Sequence, residues 1–174
     1  VEKTGPPTRT DALEAAARAV LLRVTSDETE WRDAVDAWQG NRIRKVVRRA
    51  RGAEWGRALA LPGITVTHGS AEVRVYPPIP LDEWPRDLSR LQVSGTELDD
   101  PASPAPPPAG TPLVLLSPDV SMTAGKAMAQ AGHAAQQVDE VGRAAARDVL
   151  AREHADRREG VVYGARAAVG GDHD

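Results

Sequence analysis

The chain has 174 residues, room for one medium domain or two small ones. Its 25 acidic residues outnumber 22 lysines and arginines, a formal net charge of -3, so any nucleic-acid binding has to come from a local patch. Cysteine is absent, which excludes disulfides and cysteine-based zinc sites and fits a reducing interior; aromatics are only 3% and phenylalanine is missing, which leaves the core to Leu, Val and Ala.

No run of about 18 apolar residues and no signal-peptide core occurs, so a soluble cytoplasmic protein without a membrane partner is expected. Residues 1–10 read as loop around Gly5-Pro6-Pro7. Thr10 or Asp11 can cap a first helix, with Glu14 three residues after Asp11. Leu13, Ala16, Ala17, Val20, Leu21 and Val24 then recur at helical spacing. Ser26-Asp27 caps a second helix, with Trp31, Val35 and Trp38 on one side, and Gly40-Asn41 stops it.

Arg42 to Arg51 is the most basic segment, with six cations in ten residues: Arg42, Arg44, Lys45, Arg48, Arg49 and Arg51. Its apolar residues fit a helix, although Val46-Val47 suit a short strand equally well. Glu54 to Leu61 reads as a helix ended by Pro62-Gly63. Ile64 to Tyr76 is a hairpin signal, two β-rich runs around His68-Gly69-Ser70 in which Val73 and Val75 alternate with polar residues. Asp82 caps a short helix near Trp84, with Leu88 and Leu91 on its apolar side. Residues 99–112 form a Pro-rich, extended linker.

Leu113 to Leu116 is an apolar run of strand length. Ser117-Pro118-Asp119 turns the chain, and an Ala-rich helix follows Thr123-Ala124-Gly125-Lys126. Gly125-Lys126 would lie in its first turn, where unpaired N–H groups and the helix dipole favour an anion. At about 100° per residue, Gln130 falls about 40° from Lys126 and His133 about 20° to the other side, so the three share a narrow face. This is not a nucleotide P-loop, whose remaining Gly and Ser/Thr positions are Val120 and Ala127 here. Val138 to Arg158 reads as a solvent-facing helix, and residues 160–174 as a frayed tail. His68 suits a turn, and His154 and His173 carry no metal spacing.

The stretch 113–136 resembles the signature of the type II peptidyl-tRNA hydrolases: an apolar strand, then Met-x-x-Gly-Lys, then Ala-Gln-x-x-His-Ala. Met122, Gly125, Lys126, Ala129, Gln130, His133 and Ala134 fill those places. The family's preceding Gly-Lys pair is absent. The resemblance implies an α/β fold with a mixed β-sheet flanked by helices, and hydrolysis of the ester between a peptide and tRNA, with no cofactor and no metal. It also implies a catalytic set of Lys126 for charge stabilisation, Gln130 for orientation and His133 as a candidate base. Against these stand plainer roles: a solvated lysine, a surface amide and a packed histidine. The basic run would contact tRNA phosphates, or be a solvated face.

A weaker resemblance covers residues 8–98, whose order of elements follows the family's later part. Trp38 to Val47 is similar to its Trp-helix and basic strand, Leu61-Pro62 to its Leu-Pro, and Thr67 to Glu72 to its Asp-Ala-Gly-x-Thr-Glu turn. Thr67 and Ala71 stand where the family has Asp and Thr. The expected organisation is therefore an incomplete, degenerate peptidyl-tRNA hydrolase-like region at 1–98 and a linker at 99–112. The strand-loop-helix signature follows at 113–139, then a charged helix and tail at 140–174. Either the chain is clipped at both ends, or the strand at 113–116 completes the first copy's sheet. An unpaired strand edge would invite association and leaves a homodimer open. The rival to an enzyme is an RNA- or ribosome-associated remnant without turnover, and a third reading is a helical interaction module.

Overall fold

The computed structural model describes residues 6–25, 29–39, 45–80, 82–103, 105–117 and 119–158. The expected cap at Ser26-Asp27, the stop at Gly40-Asn41, Arg42, Arg44 and the tail from Gly160 lie outside the described residues. The elements are α1 (Arg9–Thr25), α2 (Thr29–Gln39), α3 (Ala53–Leu59), β1 (Ile64–His68), β2 (Ala71–Val75), α4 (Arg86–Ser89) and α5 (Ala124–Arg158). By its internal contacts the chain divides into two units, Val1–Val138 and Asp139–Asp174; the described part of the second is the C-terminal portion of α5.

Helix α1 forms where Ala-rich periodicity predicts it, and its most buried positions are alanines. Ala12, Ala15, Ala16 and Ala19 are buried, whereas Leu13, Val20 and Leu21 are only half-buried. The helix packs across the β1–β2 hairpin, and methyl side chains let the two backbones approach closely. Ala12, Ala15 and Ala16 form one cluster with Ala71, Leu98, Ala124 and Met128, and Leu13, Val47 and Val73 pack against it.

The hairpin pairs Ile64 with Val75 through His68 with Ala71, leaving Gly69-Ser70 as a two-residue loop. Gly69 has φ +51, and glycine first in the loop suits the turn that matches strand twist. The Asp11 carboxylate reaches this loop from α1. It accepts hydrogen bonds from the Ser70 N–H at 2.7 Å and the Ser70 hydroxyl at 2.6 Å. The Ser70 oxygen in turn accepts from the Thr8 N–H at 2.8 Å. Asp11 is therefore not the helix cap: the Thr8 hydroxyl accepts the Asp11 N–H at 3.2 Å, which frees the carboxylate for the loop. Beside it, Glu14 and His68 form an ion pair at 2.5 Å when the imidazole is protonated.

These bonds hold the Asp11 carboxyl below its ordinary value of 3.8, the Ser70 hydroxyl contributing most, the Ser70 N–H next, and burial opposing them. A depressed folded-state pKa gives stability that is present above the unfolded value and lost as pH falls through the folded one. Asp11→Asn is thus expected to flatten the acid limb below about pH 4 in urea midpoints measured against pH. A wild-type slope in the variant refutes the assignment.

A second cluster joins Ala58 of α3 to Leu88 and Leu91, flanked by Ala50, Trp55, Leu61, Tyr76 and Ile79. The short helix starts at Arg86, behind Pro85, rather than at Asp82, because Pro85 supplies the carbonyl that accepts the Leu88 and Ser89 N–H groups.

Two expectations are corrected. Among the described residues the sheet is a two-stranded antiparallel hairpin, not a mixed sheet flanked by helices. Leu113 to Leu116 forms no strand: it runs without a ladder partner, and Leu113, Val114 and Leu115 are exposed. An apolar run becomes a strand only when a neighbouring edge accepts its N–H and C=O groups, and neither hairpin edge does so. It therefore does not complete the sheet of residues 8–98. Helix α5 runs unbroken from Ala124 to Arg158, because Ala, Arg and Glu carry the helix across Gly142, and the division between the two units falls within it. The linker's first residues are not free either, since Asp100 accepts from the Thr10 N–H and hydroxyl, both at 2.9 Å.

Candidate functional site

Helix α5 begins at Ala124, whose N–H donates to the Thr96 carbonyl at 3.2 Å. Ala124, Ala127, Met128, Ala131 and Ala135 are buried, which anchors one side of the helix in the first unit. Lys126 and Gln130 are exposed on its outer side, and Lys126 has no hydrogen-bond or ion-pair partner among the described residues. Its ammonium is available to an anion, but it is not recessed. Met122, the first residue of the motif, lines an open depression of about 460 Å³ together with Arg9, Ser117, Asp119 and Ser121. Gly125 is not there for space, since a Cβ at this position would meet Val47 and Val93 only at ordinary contact distance.

His133 faces inward. Its Nδ1 lies 3.1 Å from the Lys45 ammonium, which also donates to Gln136 Oε1 at 2.8 Å and sits 4.7 Å over the Trp38 ring. Gly132 makes room for this contact: a Cβ there would fall 2.8 Å from Val20 Cγ2 and 3.5 Å from Lys45 Cδ. An ammonium group only donates, so Nδ1 has to accept, and the neutral ring carries its proton on Nε2. Desolvation first, and the Lys45 charge second, lower the His133 pKa below its ordinary 6.5. The ring is thus neutral near pH 7 with one nitrogen occupied and the other protonated. This disfavours the general-base role considered from the sequence and suits His133 as a donor through Nε2–H.

Of the four described cations of the basic run, three are engaged within the fold. Lys45 is held as described. Arg48 Nη1 donates to the Ser89 and Leu91 carbonyls at 2.9 and 2.8 Å, and its guanidinium lies 4.7 Å over Trp84. Arg49 pairs with Gln92, through a 2.8 Å backbone bond in an isolated bridge and through the side chains. Arg51 is exposed. Cation-on-aromatic seating recurs at Arg23, which is buried and lies 4.6 Å from the Trp31 centroid. Sequence reasoning did not foresee Trp38 and Gln136 as partners of Lys45. Gln136 follows His133 by three residues and so lies within reach on the helix, but only the tertiary fold brings Lys45 to both.

In the hairpin, Thr67 is exposed and Ala71 is buried, so neither offers a carboxylate or hydroxyl to a site on the α1 side. Ser70, the one hydroxyl at that turn, is bonded to Asp11 and Thr8. Among the described residues no group of three His, Asp or Glu side chains could hold a metal ion, and no helix is long and apolar enough to cross a membrane. No family model, curated protein or solved structure matches the chain.

Proposed function

We propose that the protein is peptidyl-tRNA hydrolase-like, binding the RNA end of peptidyl-tRNA at the start of α5 and hydrolysing the ester that joins peptide to tRNA. The observation that carries this reading is the free Lys126 ammonium in the first turn of an anchored helix, with the exposed Gln130 amide one turn further along. In this scheme a water oxygen adds to the ester carbonyl, and Lys126 neutralises the oxyanion or an adjacent phosphate. Gln130 aligns the carbonyl or the water. The added water releases a proton to solvent, and collapse breaks the bond to the ribose oxygen, which takes up a proton in turn.

A second reading is an RNA- or ribosome-associated protein of the same ancestry without turnover. Thr67 and Ala71 in place of Asp and Thr favour it, as does the Lys45 bond that occupies His133 Nδ1. Cleavage of peptidyl-tRNA by the wild type and by Lys126→Ala separates the two. Turnover that drops at least about tenfold in the variant supports the hydrolase. No turnover, with tRNA binding that weakens as salt rises, supports the second reading. Neither turnover nor binding removes both.

A further inference from the structure

We propose that the depression lined by Arg9 of α1 and by the residues leading into α5 is a subsite for a single ribonucleotide, the terminal unit of the RNA that Lys126 meets, with Arg9 taking its phosphate and Asp119 a ribose hydroxyl. The depression measures about 460 Å³, and unlike groups converge on it: the Arg9 guanidinium, the Asp119 carboxylate, the Ser117 hydroxyl and the apolar side chains of Leu116 and Met122. Arg9 is fixed through the backbone. Its N–H donates to the Asp99 carbonyl at 3.3 Å, the preceding Thr8 N–H donates to the Ser70 hydroxyl at 2.8 Å, and the following Thr10 donates twice to Asp100. Its half-buried guanidinium enters no hydrogen bond or ion pair among the described residues, Asp119 included. The Ser117 oxygen accepts the Asp119 N–H at 3.3 Å, which leaves the hydroxyl hydrogen for a ligand.

The mixture of groups selects the ligand. A guanidinium grips a phosphate through two parallel bonds. A carboxylate in the same depression disfavours a ligand that is anionic throughout and accepts only from a donor. Leu116 and Met122, both half-buried, offer an apolar wall to a flat base. A nucleotide combines the three requirements, and its ribose 2′-hydroxyl is the donor that separates RNA from DNA. Met122 stands two residues ahead of α5 and four ahead of Lys126. The assignment rests on the reading of that helix start as an RNA-end site, which chooses a nucleotide over an amino acid, another ligand that pairs an anion with a donor.

Methyl-detected NMR of the full-length chain labelled at its methionine methyl groups tests this. The chain has two methionines, Met122 in the depression and Met128 in the core, told apart by Met122→Leu. Adenosine 5′-monophosphate is expected to shift the Met122 signal and leave Met128 in place. Its 2′-deoxy counterpart and inorganic phosphate should each bind at least about threefold more weakly. Arg9→Gln should weaken the monophosphate about tenfold, and Asp119→Ala should narrow the difference between ribo and deoxy forms. A Met122 signal that ignores millimolar adenosine monophosphate overturns the subsite, as does equal binding of the ribo and deoxy forms or tighter binding of free alanine. These readings come from the wild type and hold even if a variant fails to fold. Nucleotide binding without cleavage of peptidyl-tRNA leaves the subsite standing and removes the hydrolase, whereas Lys126-dependent cleavage with a silent Met122 does the reverse.

Discussion

Gly69→Ala is expected to lower stability by about 3 kcal/mol. Two costs combine. An alanine at φ +51 enters the left-handed region, which costs an L residue about 1 kcal/mol. The added Cβ would also overlap the Asp11 carboxylate. The carboxylate then has to leave the Ser70 N–H and hydroxyl, two charge-assisted bonds worth roughly 1 kcal/mol each once partial exposure is discounted. For a chain of this size the loss corresponds to a fall of roughly 10 °C in Tm. A double-mutant cycle with Asp11→Ala is decisive. If Gly69 serves the Asp11 contact, the two losses overlap and the double variant is less damaged than their sum. Strict additivity would show that the glycine is needed for its backbone alone.

Arg48→Ala ranks second, with an expected loss of about 2 to 3 kcal/mol. Its guanidinium ties together the carbonyls at the end of α4, Ser89 and Leu91, and covers Trp84. Each charge-assisted bond contributes on the order of 1 kcal/mol at this exposure, and the cation–π contact about 0.5–1 kcal/mol more. The neighbouring Arg49–Gln92 bridge would remain, so the 45–51 segment should loosen without detaching. Arg48→Lys should recover less than half of the loss, because a single ammonium cannot span two carbonyls and stack on the indole at once. Urea midpoints for the three proteins check this, and full recovery by lysine would mean that charge alone matters there.

The parts of the fold that were legible in the sequence are those fixed by local chemistry. The hairpin could be read from the alternation of Val73 and Val75 around a Gly-Ser loop, and it forms in that place. Trp31, Val35 and Trp38 share a side of α2, with Val35 buried, as their spacing predicts. Leu88 and Leu91 are buried as predicted. What failed depended on partners distant in the chain. Leu113 to Leu116 has strand composition but no edge to join, and the most buried positions of α1 are alanines packed near the hairpin, with Leu13 only half-buried beside them.

The site was legible to the same degree. Spacing alone put Lys126, Gln130 and His133 near one helical face; α5 spans all three, but only Lys126 and Gln130 are exposed. Nothing in the spacing said that His133 would turn towards Lys45, or that Lys45 and Arg48 would be spent on tryptophan rings rather than left for phosphate. A basic run looks the same in one dimension whether its cations face solvent or seat themselves on indoles.

The alanine seam between α1 and the hairpin reverses the usual mutational asymmetry of a protein interior. Ordinary cores suffer most from truncation, because a removed isobutyl or benzyl group leaves a hole. Ala12, Ala15, Ala16 and Ala71 have almost nothing to remove and no rotamer freedom to surrender on folding. Growth by even two methyl groups would wedge helix from hairpin. Substitution along this seam is therefore expected to be tolerated only by residues as small as glycine, alanine and serine, so that enlarging a residue there costs more than truncating one.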